Sequence, residues 1–347
     1  MTTPATGPTA RERELLAAAR AGDENAYAAL VEPHRRELRA HCYRMLGSIH
    51  DADDAVQDAM LRAWRGLPRF EGRSSTRSWL YTITTNACLN AIARRPKGRV
   101  LPIDFGEPAD PHAGAGAPLV ESVWIEPYPD ERLGLEDTFA APDARYDARE
   151  SVELAFVAAL QHLPPNQRAV LIMREVLGFS AAEVADALDT TVASVNSALQ
   201  RARKTIDDKL PDRSQQATLR ALGDERVRAL VERYVDAWER GDVAGVVAML
   251  SEDATFSMPP NVAWFRGPDA IGAFLPTGPM SRPRRFLPVR ANGQLAFGTY
   301  IWEPELGHFR PNAIHLIDID GDRIRDITAF LDRAVFPEIG LPGHLTG

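Results

Sequence analysis

Apolar positions recur at steps of three and four through most of the first 95 residues, with interruptions at Gly22-Asp23, from Gly47 to His50 and from Gly66 to Ser75. That period belongs to amphipathic helices, and the interruptions are turn signals, so an all-helical block is expected over about 10–95. From about residue 96 to 148 the pattern collapses into a Pro-, Gly- and Ala-rich stretch with too few apolar residues to order itself alone, which reads as a linker. Helical periodicity returns over about 151–210, and residues 211–216 make a short polar break. One long amphipathic helix is expected over 224–250, with Val227, Leu230, Val231, Tyr234, Val235 and Trp238 on its apolar side. After Gly267 a short helix carries Ile271 and Phe274. The period then changes to two, predicting strands over 284–291, 294–303, 312–320 and 323–331, with Asn292-Gly293 and Asp320-Gly321 as hairpin turns. The expected fold class is therefore multidomain: two all-α domains, then an α+β domain with a curved antiparallel sheet and helices on one face.

Residues 180–206, SAAEVADALDTTVASVNSALQRARKTI, read as two short helices around a tight turn, a helix-turn-helix. In the second helix Val192, Val195, Leu199, Ala202 and Ile206 fall on one stripe, expected to be buried. Its opposite face carries Ser194, Asn196, Ser197, Gln200, Arg201 and Lys204. Hydroxyls, amides, Arg and Lys are the groups that hydrogen-bond base edges and phosphates when a helix lies in the major groove, so the pattern points to DNA. The net charge of -8 argues superficially against nucleic acid, but the average hides segregation along the chain. Residues 94–99, RRPKGR, are basic, whereas residues 101–150 hold twelve Asp and Glu against three Arg.

No run of about 18 apolar residues and no charged-then-apolar leader occurs, so a cytoplasmic protein with no membrane association is expected. Cys42 and Cys88 lie in apolar helical contexts without metal-ligand spacing and read as core residues. On the helix starting near His50, Asp51, Asp54 and Asp58 share one face, while Val56, Met60 and Ala63 take another. An acidic, Gln-bearing stripe suits a basic protein partner better than DNA.

DADDAVQDAMLRAWRGLPRF at 51–70 and EGRSSTRSWLYTITTNACLNAIARRP at 71–96 resemble the promoter-melting domain of the sigma-70 family, in its extracytoplasmic-function subgroup. LPPNQRAVLIMREVLGFSAAEVADALDTTVASVNSALQRARKTI at 163–206 resembles that family's second domain, which reads the upstream promoter element. The resemblance implies domains at 10–96 and 151–210 joined by the acidic linker 97–150. It implies RNA polymerase core enzyme and promoter DNA as partners, with Asp51, Asp54, Gln57, Asp58 and Arg62 meeting the polymerase. For the downstream element it implies Ser74, Ser75, Arg77, Trp79, Asn86, Asn90, Arg94 and Arg95, with a base captured by the loop from Gly72 to Thr76 and Asn86 as the specificity residue; Thr82 and Thr85 offer further hydrogen bonding there. Arg94, Arg95, Lys97 and Arg99 are the expected phosphate contacts. The upstream element falls to Ser194, Asn196, Ser197, Gln200, Arg201 and Lys204. The acidic linker has the charge sign of nucleic acid and suits a basic polymerase channel, or serves as a solvated tether; its central VWIEPYPDERL at 123–133 has enough apolar content to dock on another domain of the same chain.

Residues 228–335 resemble the SnoaL-like cone fold, through DAWERGDVAGVVAMLSEDATFSMPP, WFRGPDAIGAF and the strands that follow, giving an α+β cone domain at 224–335. The carry-over is of fold, since this fold hosts isomerases, cyclases and non-catalytic binders. A pocket for a small-molecule ligand is expected, lined by Tyr234, Trp238, Trp264, Trp302 and His315, with Phe256, Met258, Phe297 and Phe330 as further candidates. His308, His315, Asp318 and Asp326 are the convenient acid/base groups, and their alternation does not bring them together; no nucleophile motif, metal-ligand cluster or phosphate loop occurs. The expectation is an alternative sigma factor, not an enzyme, with no cofactor implied, regulated in cis by its C-terminal domain. The tail AVFPEIGLPGHLTG is either a strap onto the helical domains or a loose end. The alternatives are a free-standing DNA-binding regulator and a SnoaL-like enzyme or ligand sensor fused to DNA-binding helices.

Overall fold

The computed structural model describes residues 9–72, 74–94, 99–119, 124–133 and 150–347. The helices α1 (Ala10–Arg20), α2 (Glu24–Val31), α3 (Arg35–Leu46), α4 (Ile49–Gly66) and α5 (Thr76–Ala93) come first. They are followed by α6 (Asp130–Leu133), α7 (Leu154–Gln161), α8 (Pro165–Leu171), α9 (Ala181–Ala187), α10 (Val192–Asp207) and α11 (Gln215–Leu222). The last part holds α12 (Asp224–Glu239), α13 (Val243–Val247), β1 (Leu250–Ser257), β2 (Trp264–Arg266), α14 (Pro268–Phe274), β3 (Arg284–Ala291), β4 (Gln294–Glu303), β5 (His308–Asp320), β6 (Arg323–Phe330) and α15 (Val335–Glu338). The chain forms two compact units, one from residues 1–98, 132–151 and 159–209, the other from 99–131, 152–158 and 210–347.

In the helical unit each boundary has a local cause. Gly47 at φ 69° ends α3, and Ser48 starts α4 by accepting the Asp51 amide at 3.2 Å. The buried residues of α4, among them Ala52, Val56, Ala59 and Ala63, are spaced to face α3 and α5. Cys42 and Cys88 are both free and buried there. Helix α8 runs on through a π-turn at Ile172–Val176 and packs against α10. The two helical blocks also interlock: Tyr81 meets Phe179 edge-on at 5.3 Å, and Thr85 donates to the Met173 sulfur at 3.9 Å. The Arg168 guanidinium, 4% exposed, donates to the carbonyls of Met45, Gln161 and Leu163 and to the Gln161 side chain.

The second unit is a six-stranded sheet in the order β2-β1-β6-β5-β4-β3, antiparallel except for the parallel pair β1 and β6. Its core joins Tyr234 and Trp238 of α12 and Phe274 of α14 to Phe256, Phe286, Phe297, Ile317 and Ile327 of the sheet. Three of the expected strands coincide with β3, β4 and β6 to within a residue, and β5 begins four residues early at His308. Asn292 and Gly293, at φ 55° and 63°, make the tight turn between β3 and β4.

Several expectations need correction. The helix expected over 224–250 is two helices, because Gly241 turns at φ 67° and Asp242 caps α13 by accepting the Gly245 amide at 2.9 Å. Both halves bury residues in the same core, so the apolar period carries no mark of the break. β1 and β2 were not anticipated, since the burial pattern of β1 does not alternate and its register with β6 shifts between Leu250 and Thr255.

The acidic segment, over its described residues, is no solvated tether. The Ala109 amide donates to the Trp264 carbonyl at 2.8 Å, and the Trp264 indole N–H donates to the Gly106 carbonyl at 2.9 Å. The Leu119 amide donates to the Pro260 carbonyl at 2.9 Å. Further on, Ile125 and Tyr128 are fully buried, and the Tyr128 amide donates to the Asn292 side chain at 2.8 Å, so the central part of 123–133 docks on the α+β domain; Val123 lies outside the described residues. The C-terminal tail packs on its own domain rather than hanging free. Phe336 meets Tyr300, Leu341 sits over Gly298, and Leu345 exchanges backbone hydrogen bonds with Phe309.

Candidate functional site

On α4, Asp54 and Gln57 are exposed, and Asp58 pairs with Arg62 at 2.7 Å across one helical turn. Leu61 stands with them, 51% exposed. Positions 54, 57, 58 and 61 form one ridge, and an apolar residue on such a ridge is what a protein partner covers. Sequence reading missed Leu61, although it falls out of phase with the buried stripe at 52, 56, 59 and 63. Asp51 is half-buried in the first turn, where its charge complements the helix dipole.

Beside α5 the residues Gly66, Arg69, Phe70, Glu71, Ser74 and Trp79 line an open pocket of about 350 Å³. Trp79 stacks on Phe70 with centroids 4.5 Å apart and planes at 20°, so it is a pocket wall as well as a packing residue. Ser75 caps α5, accepting the Ser78 amide at 3.0 Å. The face of α5 at 82, 86, 90 and 94 is spaced by fours; Asn86, Asn90 and Arg94 are exposed there, with the Asn86 amide donating to the Thr82 carbonyl at 3.0 Å. Three residues read as nucleic-acid groups serve otherwise. Arg77 donates to Glu37 at 3.2 Å and lies over the Tyr81 and Phe179 rings. Thr85 is buried and hydrogen-bonded to His41 at 2.9 Å. Arg99 is buried, with its guanidinium on the Trp124 carbonyl. Arg95 and Lys97 lie outside the described residues.

The helix-turn-helix forms as α9 and α10. Ser180 and Glu183 make a reciprocal capping box at the start of α9, Asp189 turns at φ 49°, and Thr191 caps α10 by accepting the Ser194 amide at 3.1 Å. Val195, Leu199, Ala202 and Ile206 are buried as the period predicts, but Val192 is 44% exposed. It is the first residue of α10. Ser194, Asn196, Ser197, Gln200, Arg201 and Lys204 are all exposed. The ion pair of Arg203 with buried Glu175 at 2.6 Å fixes the helix from behind.

The α+β unit holds a half-open cavity of about 220 Å³. Of the five pocket residues named from sequence, His315 lines it; Tyr234 supports the ring through a 2.9 Å hydrogen bond to Nδ1, and Trp238 packs edge-on against it at 5.3 Å. Phe256 and Met258 also line it. Trp264 is held by Gly106, and Trp302 packs on Phe309; neither is among the described lining residues. Sequence reading missed Arg284, Asn261 and Asn312, which do line it. Burial and the nearby Arg284 charge push the His315 pKa down to about 3, so the ring is neutral.

Of the four acid/base candidates, Asp318 and Asp326 are direct partners across β5 and β6, a pairing that the alternation did not reveal. Burial raises both, Asp318 to about 6 against the opposing pull of Arg325. Asp318 pairs with Arg325, and Asp326 accepts from Thr255 and Thr328. Neither lines the cavity, and His308 lies near His344 instead.

The family model for sigma-70 region 2 matches residues 30–97, the model for sigma-70 region 4 matches 153–206, and that of the SnoaL-like domain matches 231–327. The chain is 42% identical over 329 residues to the ECF RNA polymerase sigma factor SigG of Mycobacterium tuberculosis, covering 94% of this chain and 86% of that protein. It is 33% identical to the ECF RNA polymerase sigma factor SigM of the same organism over 56% of this chain and 82% of that one. The crystal structure of the M. tuberculosis extracytoplasmic function sigma factor SigJ superposes with a TM-score of 0.56 at 20% identity, covering 91% of this chain and 99% of that chain, and so shares the fold. With both promoter-binding regions, the SnoaL-like domain and a relative aligned along almost its whole length, the chain belongs to the ECF sigma factors of RNA polymerase.

Proposed function

We propose that this sigma factor engages core polymerase through the α4 ridge of Asp54, Gln57, Asp58 and Leu61. It takes up a base of the downstream element in the pocket walled by Trp79 and Ser74, beside the Asn86, Asn90 and Arg94 face, and reads the upstream element with α10. The observation that carries the DNA assignment is the complete separation on α10 of a buried apolar stripe from six exposed hydrogen-bonding residues. The exposed Val192 adds an apolar group suited to a thymine methyl. Work on polymerase and promoter places the protein in the cytoplasm.

The C-terminal domain acts in this reading as a regulator in cis and not as a catalyst. What supports cis regulation is that residues 99–119 and 124–131, lying in sequence between the two promoter-binding regions, are packed into the same compact unit as that domain. What supports a non-catalytic role is that the cavity is lined by no carboxylate among the described residues, and its one histidine is held neutral. The test is transcription from a promoter library by purified core polymerase with the full-length protein. Promoter-specific transcripts, reduced at least tenfold by Leu61→Asp together with Asp54→Arg, are expected; failure of the unmodified chain to bind core polymerase would overturn the assignment.

A further inference from the structure

We propose that the cavity of the α+β domain is a binding site for a small monocarboxylic acid, its carboxylate on Arg284 and its apolar body against the aromatic wall. The proposal deepens the regulatory reading of this domain and rests on it only for the consequence of binding, not for binding itself.

Arg284, at the start of β3, is 5% exposed and lines the cavity. Its Nε donates to the Pro279 carbonyl, while Nη1 is buried without a hydrogen-bond partner among the described residues. Burial and the neighbouring Arg282 push its pKa down to about 10, so it remains a cation at neutral pH. A buried guanidinium with open donors is costly until an anion completes it, and its planar fork fits a carboxylate. Among the described residues the lining holds Arg284, the neutral His315 and Arg282, which pairs with Glu303 at 3.5 Å, and no Asp or Glu. The Tyr234 hydroxyl, whose pKa burial raises, lies 2.9 Å from Nδ1 of the neutral His315 ring; in the tautomer in which Nδ1 accepts, the ring proton sits on Nε2 as a further donor. Asn312 and Ser281 supply further polar groups.

The rest of the wall is apolar: Phe256, Met258, Phe274, Ile301, Ala329 and Leu331. The volume of about 220 Å³ exceeds the roughly 150 Å³ of a cavity that accepts benzene, which sizes the acid as a single ring or a short chain. One wall comes from the acidic segment, through Ala115. The bridge between Pro118 and Asn261 and the bond from Leu119 to Pro260 fasten that stretch at the cavity's edge. An acid in the cavity therefore touches the chain that joins the two promoter-binding regions.

The experiment titrates full-length protein with sodium benzoate and sodium hexanoate by calorimetry, with benzamide and hexanamide as neutral counterparts, and repeats it on Arg284→Met and on Arg240→Gln, a surface arginine of the same unit outside the cavity lining. Saturable binding of at least one acid is expected, at least tenfold tighter than its amide, lost at least tenfold in Arg284→Met and changed less than threefold in Arg240→Gln. Absence of binding by both acids up to about 10 mM, or an amide binding as well as its acid, overturns the proposal on the unmodified chain, whatever the variant's folding. Equal binding by folded Arg284→Met overturns it as well. Core-polymerase-dependent transcription by the same preparation separates the two readings: transcripts without acid binding strike the ligand site alone, and acid binding without transcripts strikes the promoter assignment alone.

Discussion

Each unit buries an arginine, and the two are partnered in opposite ways. Arg168 in the helical unit donates to three backbone carbonyls and a Gln side chain, tying the end of α3 to the start of the region 4 helices. Arg284 in the α+β unit has one acceptor among the described residues, the Pro279 carbonyl, and a cavity beside it. Burial lowers the pKa of both to about 10, so the desolvation is alike and the difference lies in what receives the hydrogen bonds. Each keeps one buried donor without a partner among the described residues, Nε of Arg168 and Nη1 of Arg284; what sets them apart is that the Arg168 fork is held by four acceptors, whereas Arg284 lies at a cavity where a ligand can complete it.

Substitution separates them most sharply. Arg168→Met should strand several buried carbonyls and cost about 3–5 kcal/mol, read as an earlier urea transition of the helical unit. Arg284→Met should leave the α+β unit within about 1 kcal/mol of the parent or stabilise it, because an apolar side chain replaces an unpaired charge. An equal loss in both variants would break the contrast.

The buried histidines extend it. His41 in the helical unit and His315 at the cavity are both held near pKa 3, chiefly by burial, while the unfolded chain takes a proton near 6.5. The unfolded state therefore binds more protons below pH 6.5. The contribution of each neutral ring is complete above that pH and is lost as pH falls toward 3, by up to about 1.4 kcal/mol per pH unit. His41→Gln and His315→Gln should each flatten the acid slope of its own unit by about 2 kcal/mol at pH 5, and benzoate should protect the α+β unit alone. On the DNA face, Arg201→Ala should cost about 1–3 kcal/mol at one promoter position if it reads a base, seen in competition binding. If it touches phosphate alone, all sequences weaken together with a shallower salt dependence. Asp318 has the smallest expected effect and the opposite sign. Its folded pKa of about 6 lies above the unfolded value, so its contribution is present below about pH 4 and is lost as pH rises through 6. Asp318→Asn should remove that loss, about 1 kcal/mol after allowance for Arg325, measured as the stability difference between pH 4 and pH 7.

The sequence by itself determined whatever repeats at short range. The helix-turn-helix, its buried stripe from Val195 to Ile206, the six exposed residues of α10, the α4 ridge and the last four strands all follow from periods of 3.6 and 2, with caps and turns such as Ser180 and Asn292-Gly293 marking their ends. Those signals are local because the backbone fixes which neighbours share a face. Only the tertiary structure decided the rest. Val192 is exposed although it continues the apolar stripe, and Arg77 and Thr85 are engaged by Glu37, Phe179 and His41. The acidic stretch has too few apolar residues to order itself alone; its described residues 99–119 and 124–133 bury Ile125 and Tyr128, pack Ala109 and Ala115 against the α+β core and hydrogen-bond to Trp264, Pro260 and Asn292. The cavity gathers residues from 115 to 331. No period links positions so far apart, so the placement of Arg284, His315 and Ala115 around one space depends on how the strands curve and what covers them.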